Sequence, residues 1–189
     1  MRFANRAQAA ELLADRLAHY RGKHPLILAI PRGAVPMGRI IAARLYGDLD
    51  VILVRKLRAP DNPELAVGSI DDLGTVYLDP GLRHLWDAAY LEREKQAQLE
   101  ALRRRRDLYG QTGSGVDVAG RIVIVCDDGI ATGSTMIAAI RAVRARGPGM
   151  LIVATAVASA DTLRRLAKEA DEVVCLEIPD MLYAIGMHF

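Results

Sequence analysis

A chain of 189 residues can fill one sizeable core, and nothing in it demands two domains. With 51% hydrophobic and 25% charged residues it reads as a soluble globule, and a net charge of +2 does not by itself suggest a nucleic-acid binder. No apolar run is long enough to span a membrane, and Glu11 and Asp15 interrupt the N-terminal apolar residues, so a secretory core is missing and a cytoplasmic location is expected.

Residues 5–20 carry apolar side chains at helical spacing and predict an amphipathic helix packed on a sheet. Residues 26–30 form a short buried strand that runs into Pro31, Arg32, Gly33, Ala34, Val35 and Pro36, and a helix pattern resumes over 37–46. A Gly-containing turn with an arginine, between a strand and a helix start, would attract anions. A third strand is expected over 51–54, ending in Arg55 and Lys56, which would point at the same rim. The Pro-containing loop 57–64 leads to a predicted β-hairpin, 66–70 and 75–78, which could serve as a mobile lid.

Residues 85–109 lack Gly and Pro and predict one long charged helix. Its basic run, residues 103–106, could grip phosphates or RNA, but a solvated face near a helix carboxyl end is the favoured reading. After a Gly-rich connector, 111–120, come a strand at 123–125, a helix at 135–146, a strand at 151–157, a helix at 162–170 capped by Ser159 or Asp161, and a strand at 172–176. The alternation implies a mainly parallel α/β sheet with helices on both faces. Cys126 and Cys175 fall in strand-like runs, which suits two buried reduced thiols better than a disulfide.

The most informative stretch is 121–139, RIVIVCDDGIATGSTMIAA. Asp127 and Asp128 break an apolar run where a buried strand would leave the sheet, Gly129 and Gly133 permit a tight turn, and Thr132, Ser134 and Thr135 supply hydroxyls at a helix start. Open amides and the helix dipole there favour an anion. Two carboxylates repel a phosphate and call for hydroxyls or a cation, so a ligand with a phosphate at one end and a diol at the other, such as ribose 5-phosphate, fits both halves.

VIVCDDGIATGST resembles the ribose-phosphate signature of type I phosphoribosyltransferases. PRGAVP resembles that family's pyrophosphate loop, and VRK before a Pro-rich segment is similar to adenine phosphoribosyltransferases. The overall pattern is nearest to bacterial phosphoribosyltransferase-like proteins with PRG, RK and NPE motifs. The resemblance implies one domain over 1–189, with loop and hairpin at 57–80, a helical insertion at 82–110 and a partial hood at 177–189. It implies transfer of phosphoribose from 5-phosphoribosyl 1-diphosphate to a nitrogenous base, with Mg²⁺ accompanying the diphosphate, as in nucleotide salvage. Asp127 and Asp128 would hold the ribose hydroxyls, directly or through the metal. Residues 129–135, Ala131 included, would wrap the 5-phosphate, Arg32 and Gly33 would take the diphosphate, and Arg55 with Lys56, the latter as a catalytic residue, would steady it as it leaves. Small-molecule substrates are expected, a homodimer is compatible, and neither nucleic acid nor membrane is expected as a partner. The family's hypoxanthine-guanine enzymes carry an Asp where this chain has Ala131, as adenine enzymes do, so the acceptor stays open. The competing function is a non-catalytic sensor of phosphoribosyl diphosphate or nucleotides.

Overall fold

The computed structural model describes residues 3–60, 62, 66–82, 86–109, 116–182 and 184–189. The predicted connector residues 111–115, the start of the predicted long helix at Leu85, and the Pro63–Glu64 part of the NPE motif lie outside these residues. Five strands form a parallel sheet in the order β2 (Asp48–Val51), β1 (Leu26–Ala29), β6 (Ile122–Ile130), β7 (Met150–Ala158), β8 (Glu172–Glu177). The alternating pleat divides the core. Ile27, Ala29, Ile124, Cys126, Ile152 and Ala154 face helices α1 (Arg6–Arg16) and α2 (Ala34–Leu45). Leu26, Leu28, Val123, Val125, Leu151 and Val153 face α4 (Ser134–Ala145) and α5 (Ala160–Leu166). Both faces are thus buried, which is why these strands read as unbroken apolar runs.

The predicted strand 51–54 is two pieces. β2 ends at Val51, Ile52 donates the last bond to Ala29 of the main sheet, and a separate strand β3 (Val54–Arg58) begins after Leu53. Val-Ile-Leu-Val is therefore a crossover between sheets, and Arg55 and Lys56 lie inside an antiparallel strand, not at the end of a parallel one. β3 pairs with β4 (Ala66–Asp71), and β4 with β5 (Val76–Leu78), so the expected hairpin is part of a three-stranded sheet that also takes in the start of the predicted loop.

One face of this small sheet carries α3 (Ala88–Asp107), whose Leu91 and Leu102 pack with Leu53, Leu57, Val67 and Ile70. The other face lies on α4, where Ser69 Oγ meets the Ala138 carbonyl at 3.5 Å and the Arg141 guanidinium stacks 4.6 Å over the Tyr77 ring. Arg106 ties the end of α3 down: it donates to Asp72 at 2.5 Å, to Asp50 at 3.2 Å and to the Val51 carbonyl at 3.0 Å. Its side chain is 17% exposed and both acids are nearly enclosed. Cys126 is buried and burial pushes its thiol up, whereas Cys175 is only half-buried; neither is in a disulfide. Among the described residues no helix is long and apolar enough to cross a membrane.

Candidate active site

The chain leaves β1 toward one edge of the main sheet and β6 toward the other, so a crevice opens outside the carboxyl ends of these neighbours. That is where open α/β sheets bind ligands. β1 stops at Ala29 while β6 continues beside β7 to Ile130, pairing Asp127 with Thr155 and Gly129 with Val157. The acid pair therefore stands on a strand that has outrun its neighbour, and does not break the strand as the sequence suggests. Its strand geometry sends the two side chains to opposite faces.

Asp127 is largely buried, and its Oδ1 accepts the Asp128 amide at 2.9 Å. Burial, then the Asp128 charge, raises its carboxyl to about 8. Asp128 turns the other way, into the turn that follows β1, and receives Arg6 Nε at 2.7 Å. It packs so closely on Gly33 that a Cβ there would lie 2.8 Å from the Asp128 Cγ. Gly33 has ordinary helical dihedrals, so the demand is for space and not for a left-handed turn. Arg32 is exposed beside it, and the Pro31–Arg32 peptide bond is cis. The two loops recognised separately in the sequence, Arg32-Gly33 and Asp127-Asp128, are thus in contact.

Gly129 lies within β6 and does not make the turn. The turn is residues 131–133, and Gly133 supplies a left-handed φ of +75° ahead of α4. No side chain caps α4, so its first amides remain open beside a cavity of about 150 Å³ lined by Asp127 and residues 129–136. Thr132 Oγ1 and Ser134 Oγ lie 3.2 Å apart at its mouth. The loop is braced from α5: Thr162 Oγ1 donates to the Ala131 carbonyl at 2.7 Å and Arg165 to the Thr132 carbonyl at 3.0 Å. Ser159 caps α5, as expected, and steadies Thr162.

The expected partnership of Arg55 and Lys56 is not met. Adjacent residues in a strand face opposite ways, so Arg55 turns to Gln98 of α3 at 3.1 Å. Lys56 faces α4 and shares a cavity of about 190 Å³ with Ser69, Asp79, Ser134, Arg141 and Arg165. Lys56 is therefore on the Ser134 side of the crevice.

Sequence reading missed Arg6, which it left on a packing helix, and the Thr162/Arg165 brace, for which only the one-turn spacing on a short helix was a signal. It also missed the division of labour in residues 103–106. Arg104 pairs with Glu100 in solvent, Arg106 is the buried anchor, and Arg105 donates to the Pro31 carbonyl at 3.4 Å. The C-terminal tail folds back on the same rim. Ile185 occupies the space left by the missing Gly129 side chain, Phe189 stacks on Phe3 at 5.7 Å, and the Arg6 guanidinium lies 4.7 Å over the Phe189 ring.

The doubly wound parallel sheet thus carries an acid pair and an uncapped Gly-Ser-Thr helix start at its switch point. The phosphoribosyl transferase domain family matches residues 4–186, and the chain belongs to that family. It is 39% identical, over 99% of its length, to provisionally named phosphoribosyl transferases from two Mycobacterium tuberculosis strains, CDC 1551 and H37Rv, and spans 43% of their length. The crystal structure of TT1426 from Thermus thermophilus is similar with a TM-score of 0.92 and 41% identity, covering 100% of this chain and 90% of that one. Purine phosphoribosyltransferase from Pyrococcus horikoshii shares the fold at a TM-score of 0.52 and 18% identity, covering 93% and 92%.

Proposed function

We propose that the chain transfers phosphoribose from 5-phosphoribosyl 1-diphosphate to a nitrogenous base, releasing diphosphate, in the cytoplasm. The observation that carries the reading is the contact of Asp128 with Gly33, which joins the carboxylate half of the crevice to the Arg32-Gly33 loop. In this reading the 5-phosphate sits on the open amides and hydroxyls of residues 129–135, and the diol meets Asp127 and Asp128. The diphosphate lies along Arg32 and Gly33, and Lys56 reaches it, or the 5-phosphate, from β3.

A ring nitrogen of the base forms a bond to the anomeric carbon, the bond to the diphosphate oxygen breaks with its electron pair, and the base loses its proton. Positive charge grows on the ribose and negative charge on the leaving group. Carboxylates beneath the first and cations around the second therefore stabilise the transition state more than the ground state.

Asp127 and Asp128 suit Mg²⁺ brought in with the diphosphate. Burial, then the neighbouring Asp128 charge, raises the Asp127 carboxyl, and a cation beside it would offset both. Among the described residues no three acidic, His or Cys side chains gather to enclose a metal, so substrate oxygens and water would complete the shell. Bound there, the metal would supply charge neutralisation to the departing diphosphate.

Ala131 offers no side-chain base, and its carbonyl is engaged by Thr162. The proton of the base is then taken up by water at the open rim of the crevice. Incubation with donor, Mg²⁺ and a panel of purine, pyrimidine and other nitrogenous bases is expected to release diphosphate with at least one. Absence of donor binding by calorimetry would overturn the reading, and tight binding without turnover on any base would favour the sensor.

A further inference from the structure

We propose that Arg105, on the last turn of α3, is a diphosphate-binding residue that makes the site select a diphosphate over a monophosphate. The inference rests on the transferase reading above and adds a residue to it from a helix that the sequence assigned to solvent.

Three observations carry it. The Arg105 guanidinium reaches the Pro31 carbonyl at 3.4 Å, which places it on the turn bearing Arg32 and Gly33, 74 residues away in the chain. One of its five N–H donors is used there, on a neutral acceptor, and among the described residues its side chain has no ion pair. Its neighbours differ: Arg104 is neutralised by Glu100, and Arg106 by Asp72 and Asp50.

The third observation is the anchor. Arg106 fixes the end of α3 to Val51 and to both acids, so the adjoining residue is delivered to the rim by a rigid element and not by a swinging side chain alone. A guanidinium held at a turn and still able to donate in a fork matches the oxygens of a phosphoryl group. It lies at the Pro31 end of the crevice, away from the Ser134 end where the 5-phosphate belongs, so it discriminates the two anionic ends of the donor.

The test is calorimetric titration with inorganic diphosphate plus Mg²⁺, and separately with ribose 5-phosphate, on the wild type, Arg105→Ala, Arg105→Lys and, as a charge control, Arg104→Ala. Loss of one exposed charge-assisted contact is expected to weaken diphosphate binding about tenfold in Arg105→Ala. Arg105→Lys should fall between, and ribose 5-phosphate affinity should stay within about twofold of wild type. Arg104→Ala should bind both probes as the wild type does. Equal diphosphate affinity in wild type and Arg105→Ala overturns this inference and leaves the transferase reading standing. Equal weakening of both probes, or the same loss in Arg104→Ala, also overturns it, by making the role structural or one of net charge. Failure of the wild type to bind either probe removes both readings.

Discussion

The loop after β6 and the rim around Pro31 both present groups for anions, yet they are assembled differently. Nearly everything the first offers comes from residues 127–135, consecutive in the chain, with Thr162 and Arg165 added as braces. The second draws Arg6 from α1, Arg32 and Gly33 from the turn after β1, and Arg105 from α3. A contiguous loop keeps its shape through its own turn and helix start, whereas a distributed rim depends on the packing of every element that feeds it. Damage to the first should stay local in effect, and damage to the second should spread.

The largest effect is expected where the two regions meet. Asp127→Asn with Asp128→Asn should lower kcat/KM for diphosphate release by about 10³-fold, the scale of losing preorganised electrostatic stabilisation. Thermal unfolding of the same variant should show that the fold survives.

Arg106→Ala attacks the distributed rim without touching the crevice. It leaves Asp50 and Asp72 buried without their cation, at a cost of about 3–5 kcal/mol in urea unfolding. Diphosphate affinity should fall as well, because Arg105 loses its support. Adding Asp50→Asn and Asp72→Asn should recover part of the stability.

Protonation offers a milder probe of the junction. Asp127 ionises near pH 4 in an unfolded chain and at about 8 in the fold, so between these values the native state holds more protons. Stability therefore falls as pH rises through that window and levels off above it. The urea midpoint should be higher at pH 5 than at pH 8.5, and Asp127→Asn should remove that part of the slope.

The smallest effect belongs to the contiguous loop. Thr162→Val keeps the shape of the brace but removes the hydroxyl on the Ala131 carbonyl. It should cost about 1 kcal/mol in urea unfolding, and ribose 5-phosphate affinity should fall only a few-fold by calorimetry.

The strands were legible only in part. The apolar runs at 26–30, 123–125 and 151–157 announce buried parallel strands because both faces of the sheet are covered. The same continuity hid the break at Ile52-Leu53, since an apolar crossover between two sheets has no period to distinguish it from a strand. Gly129 was read as a turn residue, yet the turn falls two residues later. Its missing side chain serves Ile185, a contact from the other end of the chain.

Local sequence is enough for the alternating α/β architecture and for the Gly133-Ser134 helix start, because dihedral preferences, helix starts and apolar runs are short-range properties that nearby residues settle. It also sets the acid pair beside that helix start. Long-range packing leans Asp128 on Gly33 beneath Arg6, parts Arg55 from Lys56 across a pleat, and buries one arginine of a four-residue run while its neighbour reaches the rim. Those outcomes depend on which distant elements pack together and in what register, and no local pattern encodes the direction in which a charged side chain is then left to point.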